Sequence, residues 1–202
     1  MNFIPLKVSL DDACFGDFLR RYHFDEKDKI DVLRLYKQVK PRVHAEFHYV
    51  LTDDNGTSKA LVVVTLGQAF DEYQESFLNR GDIHKAYILD CFGLEMLWAA
   101  YDEIDRKLYE LTGLYSGDYI YAGDDALPIT KLPALMRLLG QKQITYNDAY
   151  VLIPKKSVVF EAPLFSTRIE KYARCASCSN VNCSMRVSVT GQREISTMRR
   201  IS

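Results

Sequence analysis

Residues 60–66 read Ala60-Leu61-Val62-Val63-Val64-Thr65-Leu66, and the burial of this run decides the fold. It is too short for a buried helix and rich in β-branched side chains, so it predicts a strand covered on both faces. Gly67 ends it. Downstream, Phe70, Tyr73, Phe77 and Leu78 recur at helical spacing up to Asn79, and Gly81 stands where a left-handed helix end is expected. Asp82 then offers the cap of a longer helix with an apolar stripe of Ile83, Tyr87, Cys91, Leu94, Leu97, Trp98, Tyr101, Ile104, Leu108 and Leu111. Thr112-Gly113 closes it. At the rise of an α-helix it would be about 43 Å long, enough to cross a domain of this size. It is read as the central helix, with Cys91 and Trp98 buried and Cys91 inert.

Upstream, Lys7 to Leu10 predicts a short strand. Asp11 or Asp12 can cap a helix carrying Phe15, Phe18, Leu19 and Tyr22 on one side. A second helix, Lys29 to Lys40, turns Val32, Leu35, Tyr36 and Val39 inward and is expected to stop where Pro41 excludes Lys40 from helical geometry. Residues 43–52 alternate as a half-buried strand does: Val43, Ala45, Phe47, Tyr49 and Leu51 on one face, His44, Glu46, His48 and Thr52 on the other. His44, Glu46 and His48 could gather a metal ion, but the solvated strand face is the preferred reading, because no supporting second shell is evident. Residues 53–56, Asp-Asp-Asn-Gly, form a turn.

After the central helix, residues 115–127 form a tract of tyrosine, glycine and aspartate that reads as a long loop of the kind that often carries function. Pro128 leads into a helix over Lys131 to Leu139, with Pro133 in its first turn and Gly140 past its end. Two strands, Ile144 to Ile153 and Ser157 to Leu164, are joined by a tight connection at Pro154-Lys155-Lys156.

With 202 residues, 48% hydrophobic, the chain can bury an ordinary globular core. Its 26 basic and 27 acidic side chains give a formal charge of −1, which offers no electrostatic case for nucleic acid or an anionic membrane as partner. No apolar run approaches the ~20 residues of a bilayer span. The first residues lack the features of a secretory signal, which predicts a cytoplasmic protein. Five cysteines, an odd number, predict reduced thiols rather than a disulfide framework. Cys175, Cys178 and Cys183 share a polar, basic tail in CxxC spacing plus a third thiol, a pattern that can hold zinc or an iron–sulfur cluster. The fourth ligand could come from Cys14, Cys91, a histidine or an external group. Residues 1–170 are read as one domain and 171–202 as this cysteine-containing tail.

Several stretches taken in order resemble the activation domain of vitamin B12-dependent methionine synthase in a short stand-alone form. They are residues 64–71, Val-Thr-Leu-Gly-Gln-Ala-Phe-Asp; 86–95, Ala-Tyr-Ile-Leu-Asp-Cys-Phe-Gly-Leu-Glu; 121–128, Tyr-Ala-Gly-Asp-Asp-Ala-Leu-Pro; 154–158, Pro-Lys-Lys-Ser-Val; and the final CxxCxxxxCxxR. The resemblance implies an α+β (mixed α/β) fold, a twisted, mostly antiparallel sheet packed with helices including one long central helix. It also implies binding of S-adenosylmethionine and its presentation to a corrinoid. One-electron reduction and methylation would then return inactive cob(II)alamin to its active form. The cobalamin would be carried by a partner, a corrinoid-binding methyltransferase protein.

By that resemblance Glu95 matches a family acidic position, and Tyr119, Ile120, Tyr121, Gly123 and Asp124 fall on the loop that holds adenosylmethionine. The family writes this loop Arg-x-x-Pro-Gly-Tyr. Here Gly123 is kept, Tyr119 replaces the arginine and Asp124 the tyrosine. Loss of the arginine's charge-assisted contact costs roughly ten- to 150-fold, so binding is expected at millimolar strength or not at all, with Lys155 or Lys156 the candidate substitute cation and Tyr119→Arg with Asp124→Tyr expected to restore it. The function that follows is that of an accessory subunit for reductive reactivation of a cobalamin-dependent methyltransferase, methionine synthase foremost, rather than an enzyme alone. The alternatives are a binding module of the same fold that has lost adenosylmethionine, and a metal or iron–sulfur redox protein working through the tail.

Overall fold

The computed structural model describes residues 3–10, 15–54 and 56–171. The predicted caps Asp11 and Asp12, together with Cys14, Cys175, Cys178 and Cys183, lie outside the described residues.

The decisive run is the middle of strand β3 (Thr57–Thr65), which pairs antiparallel with β2 (Glu46–Asp54) on one side and β8 (Ser157–Phe165) on the other. Ala60, Leu61, Val62, Val63, Val64 and Leu66 are all buried, because each face of β3 meets its own core. Ala60, Val62 and Val64 point into the larger core with α1 (Phe15–Arg21), α2 (Lys29–Val39), α3 (Gln68–Leu78) and α4 (Ile83–Thr112). Leu61 and Val63 point the other way, onto Leu132, Leu135, Met136 and Leu139 of α5 (Leu132–Leu139). The sheet is completed at its edges by β1 (Ile4–Pro5) against β2, and by β4 (Tyr115–Ser116) and β5 (Ile120–Tyr121) against β8. Every one of these pairings is antiparallel. The fold is the α+β arrangement of sheet and helices expected from the sequence.

Helix α4 runs 30 residues, roughly 45 Å. Asp82 caps it, accepting a hydrogen bond from Lys85 N at 3.2 Å, and Gly113 ends it in the left-handed region at φ 72°. Its buried face differs from the predicted stripe. Ile83, Tyr87 and Leu111 are exposed, whereas Ile88, Leu89, Phe92, Met96 and Ala100 are fully buried; the two stripes agree at Cys91, Leu97, Tyr101, Ile104 and Leu108. The first half of α4 is apolar on most sides, so periodicity alone did not select the side that meets α1, α2 and α3. Cys91 is buried as expected. Trp98 is only half-buried, with the Arg21 guanidinium 5.3 Å from its ring centroid.

Four other expectations are corrected. Lys7 to Leu10 form no strand; the edge strand lies earlier, at Ile4–Pro5. Lys40 is helical at φ −48° and ψ −47°, since the chain passes Pro41 by tightening into a 3₁₀ turn over Lys40–Arg42. The polar face of β2 is covered, not solvated: α5 lies on it, His48 is buried, and its Nε2 is 3.1 Å from Leu139 O. The segment from Ile144 to Ile153 is not one strand but two short ones, β6 (Thr145–Tyr146) and β7 (Leu152–Ile153), paired with each other. Asn147 causes the reversal, its Oδ1 accepting from Ala149 N and Val151 N, both at 3.0 Å.

Candidate functional site

The tract between α4 and α5 is more ordered than its composition suggests. Ala122 N donates to Val159 O at 2.9 Å and Gly117 N to Pro163 O at 2.7 Å, so the tract is laced to β8. Its tip is a closed turn: Tyr121 N donates to Asp124 Oδ2 at 2.9 Å, Asp124 N to Tyr121 O at 2.9 Å, and Gly123 N to Leu127 O at 2.8 Å. Gly123 has φ 115°, a conformation closed to most side chains, which accounts for glycine there.

Beside this turn lies a cleft of about 270 Å³. Its floor is Ser157, Val158 and Val159 of β8; Ala122 and Ile129 form one wall, and Tyr150, Leu152 and Lys155 the other. The volume is slightly below the ~300 Å³ at which drug-sized ligand sites begin. Tyr150 is held at φ 61°, a left-handed conformation that a non-glycine residue adopts only where its surroundings impose it; the Asn147 turn does so here. Lys155 is the cation at the rim. Its Nζ donates to Glu75 at 2.7 Å, and its backbone N to Asp71. Asp71 also accepts from Lys156 N at 3.2 Å; burial raises its carboxyl above the ordinary range against the pull of these two hydrogen bonds.

The residues singled out from the sequence fall in two places. Tyr119, Tyr121 and Asp124 come together: the tyrosine rings are 6.2 Å apart, and Asp124 serves as the turn's side-chain acceptor. Ile120 and Tyr121 are β5, set against Glu161 and Phe160. The Tyr119 ring stacks on Phe160 at 4.0 Å, its hydroxyl donates to Asp105 Oδ1 with Tyr101 O 3.2 Å away, and Lys171 Nζ stands 4.6 Å over the ring while pairing with Asp105 at 2.6 Å. Glu95 is engaged elsewhere. It is buried against α1, where it pairs with Arg21 and accepts from the Tyr22 hydroxyl at 3.0 Å. Burial first, and Glu95 second, push the Tyr22 phenol well above its ordinary range. Lys156, the other candidate cation, donates to Asp90 at 2.6 Å.

His44, Glu46 and His48 do not gather: His48 is bound to α5, and Glu46 accepts from Gln143. Among the described residues no group of three or more metal-ligating side chains could hold a metal ion. The partners that sequence reading missed are Arg21, Asp105, Tyr150 and Lys171. Each acts across the fold or through a turn; only Asn147-Asp148 before Tyr150 gave a local signal.

Comparison with solved structures gives a likeness of fold. The architecture superimposes on a crystal structure of the MetH reactivation domain bound to AdoHcy, with a TM-score of 0.54 over 96% of this chain and 88% of that one, at 11% sequence identity. The chain shares that domain's fold. No family model and no curated protein matches the sequence. Among the described residues no helix is long and apolar enough to cross a membrane.

Proposed function

We propose that this protein is an accessory factor in the reductive reactivation of a cobalamin-dependent methyltransferase, with methionine synthase the first candidate. The observation that supports the reading is the likeness of fold to the MetH reactivation domain over 96% of this chain. The corrinoid belongs to the partner; this chain supplies a docking face and the cleft beside residues 119–124. In that cleft Lys155, which now pairs with Glu75, is the cation a ligand carboxylate would recruit, and Tyr150 the aromatic surface a flat ring could lie against. The test is reactivation of a purified, oxidised methionine synthase in the presence of a one-electron donor and adenosylmethionine. Addition of this protein raises the rate of return to activity; no change in that rate, together with no corrinoid protein retained on the immobilised chain, overturns the reading.

A second reading, a binding module of the same fold without adenosylmethionine, is favoured by the packing of Tyr119. Its ring and hydroxyl are committed to Phe160 and Asp105. An arginine at 119 would meet the Asp105 carboxylate before any ligand, so Tyr119→Arg with Asp124→Tyr is no longer expected to suffice for restoration. Calorimetric titration with adenosylmethionine separates the readings: a millimolar constant weakened further by Lys155→Ala supports the cleft, and heat indistinguishable from dilution supports the module. The tail with Cys175, Cys178 and Cys183 remains the proposed metal or cluster site, and elemental analysis of an anaerobic preparation for zinc and iron decides it.

A further inference from the structure

A second concavity, about 370 Å³, lies between α2 and α3, away from the cleft beside the 119–124 turn. Asp31, Arg34, Leu35 and Gln38 form one wall; Tyr73, Phe77 and Arg80 form the other, with Lys85 of α4 at the end. The Tyr73 hydroxyl donates to Gln38 Oε1 at 2.8 Å and fixes the walls to each other. Each aromatic ring carries a cation. The Arg42 guanidinium stands 4.4 Å from the Tyr73 centroid and that of Arg80 4.8 Å from Phe77.

The charges there do not balance. Asp31 pairs with Arg34 at 3.2 Å and Asp82 with Lys85 at 2.5 Å. Arg42 and Arg80 have no carboxylate within ion-pair reach among the described residues; Arg42 donates to Gln38 O, and Arg80 to Ser76 O and Ser76 Oγ. Four cations against two carboxylates leave two positive charges around one groove, in a chain whose formal charge is −1. The N-terminus of α4, at Lys85, adds the positive end of a 30-residue helix. An exposed helix face rich in arginine is ordinarily just solvated. Here the two unbalanced guanidiniums stand over aromatic rings and donate to main-chain oxygens, so less side-chain freedom remains to be lost when an anion binds.

We propose that this groove binds a phosphate-bearing small molecule, a phosphate monoester or comparable dianion, through Arg80 of its lining and Arg42 at its edge over Tyr73, with Arg34 and Lys85 completing the cationic lining. A dianion matches the two unbalanced charges, and the planar forks match phosphate oxygens. The concave shape, within the volume range of small-molecule sites, suits a ligand rather than a flat protein face. This site is separate from the proposed reactivation role and does not rest on it.

The test follows the arginine Nε–H and backbone amide signals of the full chain by NMR during titration with inorganic phosphate and with a phosphate monoester. Sodium chloride at matched ionic strength is the control. Saturable shifts at Arg42, Arg80 and the Tyr73 and Phe77 amides are expected with the phosphates and not with chloride. Arg42→Gln and Arg80→Gln each weaken binding about tenfold or more, Arg80→Lys weakens it less, and an unchanged far-UV spectrum shows that these variants are folded. Shifts that follow ionic strength alike in chloride and phosphate, or an affinity unchanged in the folded double variant, overturn the proposal.

Discussion

Cys91, on α4, is 1% exposed, and burial pushes its thiol up to about 12 from an ordinary 9.0. The folded state therefore holds the neutral thiol. Its contribution to stability is complete below about pH 9 and is lost as pH rises from there towards 12. Denaturant midpoints measured across that range should fall with pH, and Cys91→Ala should flatten the fall; alkylation with mass mapping should label Cys91 only after unfolding. Glu95 makes a sharper case. With Arg21 and the Tyr22 hydroxyl as partners, Glu95→Ala leaves a partly buried cation and a buried phenol without their acceptor, and should cost about 3 kcal/mol in a urea titration. A cost below about 1 kcal/mol would mark Glu95 as a surface ligand-holder instead. Trp98 and Phe92 divide in the same way. Phe92, fully buried among Phe15, Phe18 and Tyr36, should lose about 3 to 5 kcal/mol on truncation to alanine, and the half-buried Trp98 about 2.

At the scale of elements, the junction between β3 and α3 turns on Gly67. Its φ of 90° and ψ of 157° lie where glycine alone is comfortable, and a Cβ there would come within 3.1 Å of His44 Cβ and 3.2 Å of His44 O. Gly67→Ala should cost about 1 to 3 kcal/mol, read as a lowered denaturant midpoint with an unchanged slope. The strand and both helices around this junction were legible in the sequence, because Gly67, Gly81, Asp82 and Gly113 punctuate them chemically. The buried side of α4 was not legible. Ile88, Leu89, Phe92 and Met96 are as apolar as the neighbours chosen in their place, and only the docking of α1, α2 and α3 distinguishes them. The broken strand at 144–153 failed for another reason: Asn147 bonds to its own backbone, and this outweighs the strand propensity of the residues around it.

For the whole molecule, β3 and β8 belong to both cores at once, since Val62 and Phe160 face the helical side while Val63 and Val159 face α5. Neither core can be lost alone without exposing a shared strand. Unfolding should be one transition, with far-UV ellipticity and the fluorescence of Trp98, the single tryptophan, falling together, and Leu135→Ala should move both probes by the same amount. Two separate midpoints would mean that α5 and its core open independently. The sequence by itself determined the helices and the long strands and their order, but not the short strands β1, β4, β5, β6 and β7, for the former depend on local patterns: the β-branched run at 60–66, the glycines and aspartates at helix ends, and the alternation through β2. It also singled out the 119–124 turn and the 154–156 connection, which the fold sets along one cleft. Only the tertiary structure decided that His48 is covered rather than solvated, that Glu95 answers to α1, and that Tyr119 is held by Asp105 and Lys171. Each of these depends on partners 14 to 91 residues away, and no pattern within a segment carries such a distance.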